Sequence, residues 1–215
     1  MYFQDRYDAG RRLADLLERY RGDHPVVLAL PRGGVVVGYE VARALEAPLD
    51  VLLVRKLGVP GAEEIAMGAI AAGTTLVDAD LVARLGIPQS AIREAISRET
   101  EELNRRERAY RGDRPPVPIA GRTVIVVDDG LATGATAQAA VRSLRPRAPR
   151  RIVFAAPICS GDGAAALRRV ADDVECLECP PEMQAVGWWY QDFSPTTDAE
   201  VVRCLREAAA RRVPA

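Results

Sequence analysis

Apolar positions along this chain fall in two rhythms that alternate. Between residues 6 and 20 they recur at Ala9, Leu13, Leu16, Leu17 and Tyr20, the spacing of an amphipathic helix. VVLAL (26–30) is continuously apolar, as a short strand buried on both faces must be, and the loop PRGG leads from it into a helical pattern running to about Ala47. LDVLLV (49–54) reads as the next strand, RKLGVPGAEE as a loop, and EIAMGAIA and TTLV as two further short strands. Later, TVIVV (123–127) predicts a strand, followed by a helix from about Gly134 to Arg145, the strand RIVFAAP, a helix near Ala164 to Val170 and the strand-like VECLEC. Buried strands alternating with helices predict an α/β fold, a parallel sheet with helices on both faces.

Residues 78–114 break the alternation. IREAISRETEELNRRERAY carries opposite charges four apart at Glu94 and Arg98, Glu101 and Arg105, and Glu102 and Arg106, which predicts a solvated helix supported by local pairs. Its apolar positions Ile92, Ile96, Leu103 and Tyr110 make one narrow stripe, expected to lie on the domain, with a homodimer contact as the alternative. RGDRPPVPIAG is a connector. TTDAEVVRCLREAAARR opens with Thr197 and Glu200 at capping-box spacing and predicts a closing helix. A length of 215 residues suits a single domain over 1–215, with 78–114 as a helical insertion.

Composition narrows the partners. A net charge of -1 leaves no basic excess for a nucleic-acid backbone. The absence of an 18-residue apolar run, together with a charged beginning, MYFQDRYDAGRR, argues against a membrane and for a cytoplasmic protein. Cys176 and Cys179 form a C-x-x-C without a second pair or a nearby histidine, so Cys159, Cys176, Cys179 and Cys204 read as small buried thiols, with no resident metal set. Of 29 basic residues a single one, Lys56, is lysine, which marks it as a candidate for chemistry.

The densest chemistry lies in VIVVDDGLATGATAQAAV (124–141). A helix N-terminus beyond a Gly-containing loop at a strand's carboxyl end offers amide donors and partial positive charge to a phosphate. Thr133, Gly134, Ala135 and Thr136 stand there, small enough for close approach and with two hydroxyls as further donors. Asp128 and Asp129 would repel a phosphate but suit a ribose diol, so the stretch reads as a ribose 5-phosphate site. No Walker lysine is present, and a phosphoacceptor receiver domain would have acids without the phosphate cradle.

VIVVDDGLATGAT resembles the signature of the type I phosphoribosyltransferases, LPRGG their pyrophosphate loop, and VRKLGVPG the strand end and mobile loop that close over substrate. The resemblance covers roughly residues 24–77 and 119–160. It implies a Rossmann-like fold and transfer of ribose 5-phosphate from phosphoribosyl pyrophosphate, bound with Mg²⁺, to a nitrogen acceptor such as a nucleobase. By resemblance, Asp128 and Asp129 hold the ribose, Thr133 to Thr136 the 5-phosphate, and Arg32 with Gly33 and Gly34 the pyrophosphate. Arg32, Arg55 and Lys56 are cations that would stabilise the leaving group as charge develops. Ala132 stands where members acting on 6-oxopurines carry an aspartate, and the loop instead resembles adenine-type ones. VGWWYQDF (186–193) gathers Trp188 and Trp189 into a candidate base-covering hood over 180–215, or else an aromatic cluster closing the core. A non-catalytic regulator that senses the same donor is the alternative function, whereas a synthetase of that donor would need a longer chain with two such lobes.

Overall fold

A computed structural model describes residues 2–71 and 73–211, apart from the side chain of Glu64. Residues 212–215, the end of the expected closing helix and hood, lie outside the described residues, as do Met1 and Ala72.

Helix α1 (Arg6–Leu17) starts at Asp5, whose carboxylate accepts the amide of Asp8 at 2.8 Å. The chain then alternates through β1 (Val26–Ala29), α2 (Gly33–Ala44) and β2 (Leu49–Val51). After the segment described below come β6 (Thr123–Val127), α5 (Ala135–Leu144), β7 (Arg151–Ile158), α6 (Gly161–Leu167), β8 (Asp173–Glu178) and α7 (Asp198–Ala210). Strands β2-β1-β6-β7-β8 form one parallel sheet in that order. Because side chains alternate across a strand, register sorts the core into two layers. Val27, Ile125 and Val153 align and face α1, α2 and α7, while Leu28, Val126 and Phe154 align and face α5 and α6. Helices on both faces explain why the strands are apolar at successive positions.

The segment expected to be a loop, RKLGVPGAEE, is structured. β3 (Val54–Val59), β4 (Ala62–Ala71) and β5 (Thr74–Val77) make a separate antiparallel sheet. The signals were local: Leu57 and Val59 are buried while Lys56 is exposed, and Pro60-Gly61 supplies the hairpin turn. LDVLLV correspondingly ends as a strand at Val51, although Leu52 still donates to the carbonyl of Ala29 at 2.9 Å.

The 78–114 segment holds two helices rather than one. Asp78 caps α3 (Ala79–Leu85), Gly86 ends it at φ 61°, and Pro88 precedes α4 (Gln89–Arg111). Ile92, Ala95, Leu103 and Tyr110 of α4 are buried against β2, β3 and α7, so this chain itself covers the stripe. Tyr110 donates to Asp198 at 2.6 Å, and its phenol is pushed up to about 12 by burial and by that carboxylate. Of the charge pairs expected at i,i+4, Glu102 takes Arg106 at 2.8 Å but also Arg105 at 2.8 Å.

α6 begins three residues before Ala164 because the hydroxyl of Ser160 caps the amide of Gly163 at 2.9 Å. At α7, Thr197 accepts the amide of Glu200 at 3.1 Å, but the Glu200 carboxylate turns to Tyr7 instead of back to the cap. The cysteines are not four buried thiols: Cys159 and Cys176 form a disulfide between β7 and β8, Cys179 is exposed, and Cys204 is buried and free. The pairing follows from parallel strands whose ends lie side by side. No described helix is long and apolar enough to cross a membrane.

Candidate active site

Strand order reverses direction between β1 and β6: the chain leaves β1 toward β2 on one side and later continues from β6 toward β7 on the other. The loops leaving these two neighbours therefore diverge to opposite faces and open a crevice at their carboxyl ends, the place where open α/β sheets bind ligands. Leu30 donates to the carbonyl of Val127 at 2.9 Å and extends the pairing to the mouth of that crevice.

Two glycines allow the loops to interlock. A Cβ on Gly33 would land on the Asp129 carboxylate, and one on Gly34 would stand 2.8 Å from the carbonyl oxygen of Val127. The peptide bond between Pro31 and Arg32 is cis, and the Arg32 side chain is exposed at the start of α2. The PRGG loop thus sits directly against the paired aspartates.

The two carboxyls are not equivalent. Asp128 accepts the amide of Asp129 at 2.9 Å, and burial first, then the neighbouring Asp129 charge, hold its carboxyl well above the usual carboxylate range. Asp129 is ion-paired, its Oδ2 accepting Arg6 Nε at 2.7 Å. Arg6 also donates to the carbonyl of Ser194 at 2.8 Å and lies 3.9 Å from the ring centre of Phe193. Tyr190 donates to the backbone carbonyl of Asp129 at 2.6 Å; its phenol is raised, by burial above all and then by the Asp129 charge. Arg6 carries no local signal for its role, and Tyr190, part of the expected aromatic hood, holds Asp129 through a contact that spacing does not predict; the two reach Asp129 across 123 and 61 residues. The one available hint was the aromatic density of 186–193.

Beyond the acids, Leu131 is bridged to Cys159, and Ser160 Oγ donates to the carbonyl of Ala132. Gly134, at φ 76°, turns the chain into α5, a conformation a side chain would strain. Ala132, Thr133, Ala135 and Thr136 are exposed around this turn. The opening amides of α5 have no intrahelical acceptor and are therefore available as donors.

The expected site residues are therefore only partly gathered. Gly33 and Gly34 meet Asp128 and Asp129 at the crevice, with Thr133 to Thr136 on the loop that follows the acids, while Arg32 precedes Gly33 with its side chain exposed. Arg55 and Lys56 lie on β3 of the separate sheet, where Arg55 is held by Glu99 of α4 at 2.7 Å and Lys56 is exposed opposite Ala69. Residues 186–193 do border the loop, because Val186 abuts Gly130 and Tyr190 holds Asp129. The aromatics divide between the two expectations. Tyr190 and Phe193 pack with Phe3 in a small core, Trp189 stacks on Tyr2 at 6.0 Å, and Trp188 is 64% exposed.

A sequence model of the phosphoribosyl transferase domain matches residues 4–194. The chain belongs to that family. Two relatives from strains of Mycobacterium tuberculosis, provisionally named phosphoribosyl transferases, are each 45% identical over 207 residues, which is 96% of this chain and 47% of theirs. The chain thus spans about half the length of the curated relatives it matches. The crystal structure of TT1426 from Thermus thermophilus is 41% identical, with a TM-score of 0.86 over 96% of this chain and 99% of that one.

Proposed function

We propose that this phosphoribosyl transferase chain moves ribose 5-phosphate from phosphoribosyl pyrophosphate to a nitrogen nucleophile. The observation that carries the reading is the contact of Gly33 and Gly34 with Asp128 and Asp129, one step before the Thr133–Thr136 turn. A pyrophosphate on the first loop and a 5-phosphate on the second would lie at opposite ends of one ribose, with the two acids between them. Asp128 and Asp129 accept from the ribose hydroxyls. Amides and hydroxyls of Thr133 to Thr136 take the 5-phosphate, and Arg32, with the close backbone of Gly33 and Gly34, takes the pyrophosphate.

In the reaction the C1–O bond to pyrophosphate breaks through an oxocarbenium-like state, and the acceptor nitrogen bonds C1 from the opposite face. Cations near the departing oxygen act most where its charge is greatest. In this proposal Arg32, exposed beside the crevice, and Lys56, on the β3–β4 hairpin, serve this role, and Arg55 would first have to leave Glu99.

Among the described residues no cluster of three or more His, Cys, Asp or Glu side chains could hold a metal alone. Mg²⁺ is commonly bound by one or two carboxylates together with substrate phosphates and water. Asp128 and Asp129, beside the PRGG loop, fit that donor set. When bound, the ion neutralises pyrophosphate charge.

The acceptor in this proposal is a planar nitrogen base other than a 6-oxopurine. Ala132 is exposed on the loop and has no side-chain donor or acceptor. Trp188, exposed on a segment that borders Gly130, is the surface on which such a base would stack. The proposal also carries the cytoplasmic setting. A screen of adenine, hypoxanthine and guanine with pyrophosphate release as readout tests it. Release with adenine and little with the other two is expected, and efficient release with hypoxanthine or guanine overturns the acceptor assignment. Donor binding without release on a wide panel of nitrogen bases would mark a sensing regulator.

A further inference from the structure

A cavity of about 380 Å³ lies away from the crevice, between β2, α4, the connector before β6 and the turn joining β4 to β5. None of its lining comes from residues 31–34, 128–136 or 186–193. Its floor is apolar, with Leu52, Leu53, Leu103 and Val117. Most of its charged groups satisfy one another. Asp50, itself buried, accepts Arg111 Nε at 3.1 Å, the amide of Val117 at 3.1 Å and its neighbour's amide at 2.8 Å, and Arg111 has Glu107 as a second partner at 3.4 Å.

Arg147 is the exception. Its half-buried guanidinium lines the cavity and, among the described residues, has no hydrogen-bond partner or ion pair. Desolvation lowers its pKa most, with Asp50 and Glu107 pulling the other way and Arg111 adding repulsion. Its donors have no partner within the described protein, and a planar oxyanion matches the guanidinium fork. Asp50, Glu107, Arg111 and Arg147 sum to no net charge, so the cavity favours a ligand with one oxyanion group over a polyphosphate. Its volume lies within the range of small-molecule pockets.

We propose that this cavity binds a small metabolite bearing a single carboxylate or phosphate ester on a compact, partly apolar body, with Arg147 as the anion contact. Its place in the fold makes the ligand a regulator. Arg147 ends the 3-10 turn that continues α5, and α5 begins at the Thr133–Thr136 turn. Leu52 and Leu53 lead directly into β3, which carries Arg55 and Lys56. An occupant therefore touches the far end of the α5 unit and the residues that lead into β3, both of which carry proposed donor contacts, so that binding in one place biases the other.

Benzoate, phenyl phosphate and inorganic phosphate are the probes, titrated at millimolar concentration against the full chain by calorimetry and thermal shift. Benzoate or phenyl phosphate should bind, whichever is tighter naming the head group, and inorganic phosphate should bind less well for want of a body. Arg147→Gln should weaken binding at least about tenfold, the order of one charge-assisted contact, and Asp128→Asn should leave it unchanged. Arg147→Lys, which keeps the charge and loses the fork, should fall between and serves if the glutamine variant folds poorly. Equal affinity in wild type and both Arg147 variants, or no binding of any probe to wild type, would overturn the proposal. Neither readout involves phosphoribosyl pyrophosphate, so failure here is distinct from failure of the donor-site reading.

Discussion

Replacing Arg6 by methionine keeps most of the apolar stem and removes the guanidinium that organises the crevice from the first turn of α1. Three interactions go with it: the 2.7 Å bond to Asp129, where the side chains are only 11% and 18% exposed, the bond to the Ser194 carbonyl, and the stack on Phe193. A charge-assisted hydrogen bond is worth about 1.5–3 kcal/mol and an ordinary one about 1. A partly desolvated cation–π contact adds about 0.5–2 kcal/mol. These terms share one side chain and do not simply add, so the expected loss is about 3 kcal/mol, a substantial part of a domain's usual ~5–15 kcal/mol. Urea unfolding of Arg6→Met should show it as a lower midpoint at unchanged slope. Donor affinity measured on the still-folded fraction should fall as well, because Asp129 loses the partner that aims it. A stability loss below about 1 kcal/mol with wild-type donor affinity would refute the reasoning. Tighter donor binding would refute it differently, by showing that Arg6 competes with the ribose for Asp129.

Asp128→Asn should raise stability at neutral pH while weakening the donor site. The native carboxyl is held well above its usual range by burial, so the native state keeps a proton that the unfolded chain releases near pH ~4, and wild-type stability falls as pH rises from there through the raised native value. Melting temperatures from about pH 4 to 8 should therefore decline less steeply in the variant, and parallel curves would contradict the assignment. Lys56→Ala should slow turnover with little change in melting temperature, since the side chain is exposed, and Lys56→Arg should restore it only in part; a large thermal loss with normal kinetics would mark the residue as structural. Cys159→Ser with Cys176→Ser should cost about 3 kcal/mol in urea unfolding, from the entropy of closing a loop with a sequence separation of 17 residues. Reduced wild type should match that variant, and an unchanged midpoint in both would show that the bridge contributes nothing.

What could be read from the chain was what is local. The buried strands, the helix cap at Thr197 and the loop around Gly134 follow from short-range pattern, and so does the α/β class. In the second sheet, EIAMGAIA and TTLV were legible as strands and become β4 and β5, whereas β3 and its turn, RKLGVPGAEE, read as loop despite the alternation at Leu57 and Val59 and the Pro60-Gly61 turn. The helix pair in 78–114 was hidden by continuous charge, although Gly86-Ile87-Pro88 marks the break. What lay beyond reach is what the sheet assembles. Cys159 and Cys176 pair because β7 and β8 end side by side, not because of their spacing. Arg6 meets Asp129 because α1 packs across the sheet from the other end of the chain. Arg55, read in sequence as a cation for the leaving group, is held by Glu99 of α4, a pairing no local pattern signals.

Calorimetry of phosphoribosyl pyrophosphate with Mg²⁺, on wild type and on the double variant Asp128→Asn, Asp129→Asn, tests the central claim most directly. One donor per chain is expected for wild type and a loss of at least about tenfold in the double variant, since losing the ion-paired Asp129 carboxylate as an acceptor for the diol is alone worth about 1.5–3 kcal/mol. A folded double variant that binds the donor as tightly as wild type would contradict the placement of the ribose between the PRGG loop and the Thr133–Thr136 turn.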